Sequence, residues 1–400
     1  MKNKSKDEVV FIIPSLYQGG AERVLLEIIK NLDADKFDCN LICFYKNLPV
    51  FGSPLLTTEI ESYGNIKLHY LNDGEISSKK LSLINRAYNG FLLIFKLSEK
   101  IRQFRRDAIL VPFLEPTAVI LLFTKLLGVK NRIVISLHTN ETAHYKSIFS
   151  NRFRLWIEMN LLRWACQKAD AVIVPSEGVK FDLVNNFSVS VGKILTIASP
   201  IDEKKIQKLV TASLNYGISI PRDTTMFCHI GRLEKQKNHL LLIKACSLLR
   251  KRYEKFIVLC AGSGSYENEI MNLILEECLE NHVKLIGNLS NPYVLMSRSR
   301  ALILTSQYES FSLVLVEAMA SGTVCISVDC PYGPAEVLAN GEYGILVPPD
   351  NPEALAGAMH EVIHNNELVQ ILISKGRRRA LDYSIEGIVK NWEAVLQGAN

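Results

Sequence analysis

Short, wholly apolar runs alternate along this chain with longer stretches whose apolar residues recur at helical spacing. The first run, residues 9–13 (Val-Val-Phe-Ile-Ile), is closed by Pro14. A run that short, with no polar residue in it, predicts a strand buried on both faces, as in a parallel sheet covered by helices. Residues 21–32 follow, with Val24, Leu25, Ile28, Ile29 and Leu32 on one helical stripe. Further strands are predicted at 40–45, 66–71, 107–111, 132–136 and 171–174, and helices at 82–104, 117–127 and 157–168. In the long helix Leu83, Phe91, Leu92, Ile94, Phe95, Leu97 and Ile101 are available for packing.

The pattern restarts after about residue 200. Strands at 226–230, 256–260, 283–286, 301–304, 324–328 and 344–347 alternate with helices at 240–250, 266–278, 291–297, 312–321 and 352–365. The end, 366–397, reads as mostly helical. Two α/β units in series are therefore expected, joined near Ser199-Pro200-Ile201-Asp202. A length of 400 residues agrees, being long for one hydrophobic core. In open sheets of this kind ligands sit beyond the carboxyl ends of strands, so the segments that follow strands carry the candidate chemistry.

Composition narrows the class without naming a function. With 48% hydrophobic and 22% charged residues the chain is globular. Nine cysteines are scattered, mostly in apolar segments and with no C-x-x-C pair. They read as buried thiols in a reducing compartment. The polar residues 1–8 run straight into a strand, unlike a secretory signal. No apolar run approaches the ~20 residues needed to span a bilayer, and residues 118–127 are interrupted by Thr124 and Lys125. Residues 1–200 hold 26 Lys/Arg and 19 Asp/Glu, and residues 201–400 hold 20 and 22. The excess is concentrated at Lys96, Lys100, Arg102, Arg105, Arg106, Lys125, Lys130, Arg132, Lys146, Arg152, Arg154 and Arg163. It is either an ordinary solvated face or an attraction to an anionic bilayer or a pyrophosphate-bearing lipid. No nucleic-acid module is present.

Two strand-end segments stand out. Gly231-Arg232-Leu233-Glu234-Lys235-Gln236-Lys237-Asn238 follows the 226–230 strand. A guanidinium grips phosphate oxygens as a fixed fork and a lysine adds a mobile charge, so this pair can neutralise a diphosphate without a metal ion. The run 305–322 follows the 301–304 strand and turns helical near Ser312. Glu309 lies at the strand end and Glu317 on the helix, flanking a helix start whose N–H groups attract anions. Carboxylates for hydroxyls beside amides for phosphate suit a nucleotide sugar.

Other segments are less specific. Gly19-Gly20-Ala21-Glu22-Arg23 allows a backbone to approach a ligand closely or simply makes a tight turn, and it is not a dinucleotide fingerprint. His138 ends a strand and either reaches a sugar hydroxyl or stays buried against backbone. Gly262 and Gly287 also follow strands, where they allow close contact with a nucleotide or line a base slot. The loop Cys330-Pro331-Tyr332-Gly333-Pro334-Ala335-Glu336 shapes a pocket wall or is a structural turn. Asp33-Ala34-Asp35 matches a metal-binding D-x-D pattern but follows a helix instead of a strand, so no metal is assigned to it.

Taken together these segments resemble the retaining glycosyltransferases of family 4. The marks are Gly-Gly-Ala-Glu-Arg at 19–23, Gly-Arg-Leu-x4-Asn-His at 231–239, Glu-x7-Glu from Glu309 to Glu317, Gly333 to Glu336, and Gly344-Ile345-Leu346-Val347-Pro348-Pro349. The resemblance covers nearly the whole chain, and the 329–336 loop is most similar to bacterial enzymes of O-antigen, capsule and lipid-linked glycan assembly. It implies an α/β GT-B fold: two Rossmann-like domains facing across a cleft. Residues 1–199 would bind the acceptor, 200–378 the nucleotide sugar, and 379–400 would cross back onto the first domain. It implies that Arg232 and Lys237 hold the donor diphosphate, that Glu317 binds the ribose, and that Glu309 faces the sugar. The Ser310, Phe311, Ser312 and Leu313 amides would cap phosphates, with Gly231 beside them. His138 would touch the sugar, and Gly19 and Gly20 would leave room for the substrates. Two departures stand out: Ser199 where the family often has Asn, and Ser310 where glycine is usual beside the donor sugar.

The expected activity is transfer of a hexose or N-acetylhexosamine, with retention, from an NDP-sugar (UDP-linked) to a polyprenyl-diphosphate saccharide or related glycan. Alternatives on the same fold are a UDP-N-acetylglucosamine epimerase and a non-catalytic assembly protein. No metal or other cofactor is expected, the NDP-sugar being a substrate. The expected location is the cytoplasmic face of the membrane, held peripherally by anionic lipid.

Overall fold

The computed structural model describes residues 6–16, 19–45, 66–72, 83–212 and 220–398. The N-terminal residues 1–5, Ser82 and the side chain of Leu83, all invoked above, lie outside the described residues. The chain forms two compact units, Met1–Pro200 with Ile385–Asn400, and Ile201–Ser384.

The first unit holds β1 (Asp7–Ile13), β2 (Phe37–Tyr45), β3 (Ile66–Asn72), β4 (Ile109–Pro112), β5 (Arg132–Ser136), β6 (Ala171–Val174) and β7 (Ile194–Thr196). They form one seven-stranded sheet in the order β3-β2-β1-β4-β5-β6-β7, parallel throughout. The second unit holds β8 (Thr225–Ile230), β9 (Phe256–Ala261), β10 (Val283–Leu285), β11 (Ala301–Leu304), β12 (Val324–Val328) and β13 (Ile345–Val347). These six are also all parallel, in the order β10-β9-β8-β11-β12-β13. In each sheet the first strand lies between the second and the fourth of its unit. Connections therefore leave in opposite directions on either side of it, which opens a crevice at the carboxyl ends of β1 and β4 and of β8 and β11.

The strands form where every residue can be buried. All of β4, β6, β11 and β12 is buried, as the unbroken apolar runs require. Each unit has its own core. Phe227, Val258, Ile303 and Ile326 lie in that of the second unit, and Val10, Ile42, Leu110 and Val172 in that of the first.

Three helices, Glu141–Ile148, Glu177–Phe187 and Glu203–Leu209, and the strand β7 were not anticipated from periodicity. Their apolar stripes are weak, and they start at side-chain caps instead. Asn140 accepts from Ala143 N–H, Ser176 from Val179 N–H and Asp202 from Lys205 N–H. The mostly helical stretch 366–397 is two helices, Asn366–Leu381 and Ile385–Leu396. The break is fixed by tertiary pairing, Ile201 N–H donating to Tyr383 O at 2.9 Å.

The last helix belongs to the first unit. Trp392 is buried and stacks on Phe113, centroids 6.4 Å apart. Arg132 donates from both terminal nitrogens to the Leu396 and Val395 carbonyls, at 2.8 and 2.9 Å, capping the helix end. The Asp33-Ala34-Asp35 segment is a turn. Asp33 accepts from Asp35 N–H at 2.9 Å and pairs with Lys36 at 3.0 Å.

Candidate active site

In the second unit the two loops beside the sheet's crevice are stitched together. After β8 the chain runs through Gly231 and Arg232 to the 3-10 turn Lys235–Lys237, then enters the helix His239–Arg250. After β11 it runs from Thr305 to Ser312 and enters the helix Leu313–Ala320. Gln307 N–H donates to Gln236 O at 2.8 Å, and Gln236 Nε2 donates to Tyr308 O at 2.8 Å. Thr305 Oγ1 donates to Lys237 O at 2.7 Å.

This stitching brings Lys237 and Glu309 together. Lys237 Nζ donates to Glu309 Oε1 at 2.6 Å, and Ser306 Oγ donates to the same oxygen at 2.6 Å. The two side chains are only 14% and 11% exposed. Desolvated charges persist when paired and hydrogen-bonded, and the ammonium keeps further N–H donors. Gly231 accommodates the lysine stem: a Cβ there would lie 3.3 Å from Lys237 Cε. Arg232 is exposed, and its guanidinium meets Gln236 Oε1 only at a long 3.4 Å. Its N–H fork is available for an anion.

The start of the helix Leu313–Ala320 adds donors. Ser312 precedes it at φ 72°, and its own side chain makes no capping hydrogen bond. The Ser312 hydroxyl is buried with no hydrogen-bond partner among the described residues. An orphan hydroxyl beside an uncapped helix start marks a place for an anionic oxygen. Ser310, where the family favours glycine, has no positive φ, so its backbone accepts a side chain.

Glu317 lies one turn into that helix and is buried. Tyr293, from the helix Pro292–Arg298, donates its hydroxyl to Glu317 Oε1 at 3.1 Å. No pattern in the sequence linked Tyr293 to the site. The loop after β12 braces the group from behind. Glu309 N–H donates to Pro331 O at 3.0 Å, and Tyr332 N–H donates to Glu309 O at 2.9 Å. Gly333, at φ +97°, lets this loop lie on the Phe311 backbone, 2.9 Å from where its Cβ would be. Phe311 is buried edge-on to Tyr383.

The two remaining glycines separate. At Gly262 a Cβ would collide with the Gly231 carbonyl, so packing between neighbouring strand ends by itself requires glycine there. At Gly287, φ +70°, nothing lies within 4 Å of a Cβ, and its carbonyl accepts from Gly262 N–H at 2.9 Å.

In the first unit Gly19 and Gly20 start the helix Gly20–Asn31, without a side-chain cap. A Cβ on Gly19 would meet the Glu22 carboxylate, whereas one on Gly20 would meet nothing within 4 Å. His138 follows β5. Its Nε2 is 2.8 Å from Ser136 Oγ, and its ring stacks on Phe113, centroids 4.2 Å apart. It is partly exposed, but enclosure of the ring drives its pKa down to about 3. It is a neutral hydrogen-bonding group at physiological pH.

Two acids here escaped the sequence reading, although both sit just after strands. Glu115 begins the helix after β4, and Glu141 begins the helix Glu141–Ile148. Glu141 is buried, and neither carboxyl oxygen has a hydrogen-bond partner among the described residues. Burial, reinforced by Glu115 and Asp182, holds it well above the usual carboxylate range. A raised carboxyl pKa removes stability as pH rises, because only the unfolded chain ionises freely. Glu141→Gln is therefore expected to raise the melting temperature at pH 7 by roughly a few degrees. The gain should vanish below the free carboxyl value of 4.5; melting curves at pH 4 and pH 7 check both halves.

Under Lys237 lie two buried histidines, His229 and His239, with rings 4.4 Å apart. Burial, then the nearby Lys237 charge, lowers His239 to about 4. Burial, then His239 and Lys237, lowers His229 well below 6.5. Depressed folded values give stability that is complete above 6.5 and lost on acidification, by up to about 1.4 kcal/mol per pH unit for each histidine. His239→Gln should accordingly melt with a shallower decline between pH 6.5 and 4.5 than the unaltered chain. Parallel declines would contradict the assignment.

Comparison with known proteins follows the same division. Residues 18–205 match the family described as Glycosyltransferase Family 4, and residues 217–379 match Glycosyl transferases group 1. The chain is 30% identical over 369 residues to the Campylobacter jejuni N-acetylgalactosamine-N,N'-diacetylbacillosaminyl-diphospho-undecaprenol 4-alpha-N-acetylgalactosaminyltransferase, covering 92% of this chain and 93% of that one. A second C. jejuni enzyme, GalNAc-alpha-(1->4)-GalNAc-alpha-(1->3)-diNAcBac-PP-undecaprenol alpha-1,4-N-acetyl-D-galactosaminyltransferase, is 24% identical and covers 96% and 97%. Among solved structures, Anabaena HepE (Alr3699) in complex with UDP and glucose superposes with a TM-score of 0.78 at 18% identity, covering 98% and 99%.

Proposed function

The chain belongs to the GT-B glycosyltransferases of family 4, and on that premise we propose that it moves a hexose or N-acetylhexosamine from a UDP-sugar to a polyprenyl-diphosphate saccharide, with retention of configuration. One observation supports this most strongly: the stitched loops after β8 and β11, which join the Lys237–Glu309 pair to the uncapped start of the helix Leu313–Ala320. Support for the substrates comes from the names of the C. jejuni relatives, which specify diphospho-undecaprenol acceptors, and from HepE, solved with UDP and glucose.

In this mechanism the bond between the anomeric carbon and the diphosphate oxygen breaks, and its electron pair stays on the diphosphate. The acceptor hydroxyl attacks from the same face, forms the new C–O bond and passes its proton to the departing phosphate oxygen. The residues act on the charge that grows on that oxygen. Arg232 offers a planar fork, Lys237 its unused N–H donors, and the 312–313 backbone the positive end of a helix. Donors already fixed in place stabilise such charge without reorganising. Glu309 holds Lys237 in position and presents its other oxygen to the sugar hydroxyls. Glu317 accepts from the ribose hydroxyls, and Tyr293 orients it. His138, neutral, hydrogen-bonds the sugar, and Gly20 leaves backbone space for substrate. The acceptor's lipid places the enzyme at the cytoplasmic face of a membrane. Among the described residues no helix is long and apolar enough to cross one.

The test is a screen of UDP-sugars against a synthetic polyprenyl-diphosphate saccharide, read by mass spectrometry. The acceptor should gain one sugar, and EDTA should leave the rate unchanged. Release of a free or epimerised sugar with no gain by the acceptor would overturn the transfer reading. A rate lost in EDTA and restored by Mg²⁺ would overturn its metal independence.

A further inference from the structure

The first unit carries an exposed apolar surface that neither its core nor its candidate site uses. The helices Leu83–Ile101, Glu115–Leu126 and Arg152–Lys168 pack side by side. All three bury their inner faces in one core, through Leu97, Leu121 and Leu162 among others. Their outer faces therefore look out from the same side of the sheet. On the third helix the buried residues are Leu162, Ala165 and Cys166. The opposite face carries Phe153 and Trp156, 70% and 61% exposed, with Ile157 one turn from Phe153. The two aromatic rings stack, centroids 6.2 Å apart. On the first helix Phe91 and Phe95, also one turn apart, are exposed. Phe123 of the second helix and Trp164 of the third meet edge to face, centroids 5.7 Å apart.

Charge identifies the occupant. Arg152, Arg163 and Lys168 on the third helix are exposed, as Phe153 and Trp156 are. The helix's one acid, Glu158, is 3.6 Å from Arg154. Solvent-facing tryptophan and phenylalanine bordered by arginine and lysine are the chemistry of a helix lying in the headgroup region of an anionic bilayer. Soluble surfaces rarely leave aromatic groups of this size uncovered without a partner.

We propose that this three-helix face is the membrane-docking surface, with Phe153 and Trp156 entering the acyl boundary and Arg152, Arg163 and Lys168 contacting anionic headgroups. The proposal rests on the lipid-linked acceptor only for its biological purpose. Its physical evidence is separate from the nucleotide site.

Flotation with phosphatidylcholine vesicles, with and without phosphatidylglycerol, tests it. The unaltered chain should bind the anionic vesicles, less so as salt is raised. Phe153→Ser/Trp156→Ser should weaken binding by at least about tenfold, with an unchanged melting temperature. Arg152→Glu/Arg163→Glu should abolish the preference for anionic lipid. Failure of the unaltered chain to bind, or equal binding by the aromatic double variant, would overturn the proposal. So would a concentration-dependent dimer lost in that variant, because the face would then be covered by a second copy. UDP calorimetry on the same proteins separates the two readings. Vesicle binding without nucleotide binding would leave the docking surface standing and end the transferase reading.

Discussion

Arg232→Ala is expected to slow sugar transfer by about 10²–10³-fold while leaving the melting temperature within about 1–2 °C. The two halves of that expectation have separate causes. The rate falls because the fork that meets the leaving diphosphate is gone. Stability hardly changes because Arg232 is exposed and its one side-chain hydrogen bond among the described residues, to Gln236, is 3.4 Å long. Lys237→Ala should slow transfer by a similar factor but cannot be read so simply. It leaves the Glu309 carboxylate, 11% exposed, without its cation. Breaking one half of such a pair typically costs about 3–5 kcal/mol. Arg232 thus separates chemistry from folding, and Lys237 combines them. Full turnover by Arg232→Ala would remove the diphosphate assignment, and a large drop in its melting temperature would show that the arginine has a structural role instead.

Glu317→Ala should weaken UDP binding by about 10–100-fold, the loss of one or two hydrogen bonds to a charged group. The side chain is buried and takes the Tyr293 hydroxyl at 3.1 Å. The variant therefore also leaves that hydroxyl without this acceptor. Tyr293→Phe provides the control. It keeps the carboxylate and removes only the group that aims it, so its effect on affinity should be smaller than that of Glu317→Ala. Isothermal calorimetry with UDP measures both. Unchanged affinity in Glu317→Ala would show that the ribose lies elsewhere.

The short, mainly apolar runs were the most legible part of the fold. Arg132–Ser136, Ala171–Val174, Ala301–Leu304 and Val324–Val328 have the bounds that their sequences suggest. Nothing at their ends competes with a buried strand. The helix Glu141–Ile148 was not legible because its first residue, a buried glutamate, contradicts an apolar stripe. Its Asn140 cap was the available signal. The break before Ile385 has no glycine or proline to mark it and depends on a partner far away in the chain, Ile201.

The site was legible as chemistry and hidden as geometry. Arg232, Lys237, Glu309 and Glu317 were each singled out by residue type after a strand, which the sheet order explains. Their partners were not. That Lys237 bonds Glu309, and Tyr293 bonds Glu317, follows from strands becoming neighbours only on folding. At Gly262, a glycine whose strand-end position suggests a ligand, the neighbouring Gly231 carbonyl also leaves no room for a Cβ. Ser312 holds a positive φ without being glycine, so no pattern of glycines could have located the uncapped helix start.

The central claim is that the loops after β8 and β11 hold the donor's diphosphate. A crystal structure of the chain with UDP tests it most directly. The expected result places the diphosphate oxygens within hydrogen-bond distance of Arg232, Lys237 and the Ser312–Leu313 amides, with the ribose hydroxyls on Glu317. A nucleotide bound at any other part of the chain, with those side chains unengaged, would contradict it.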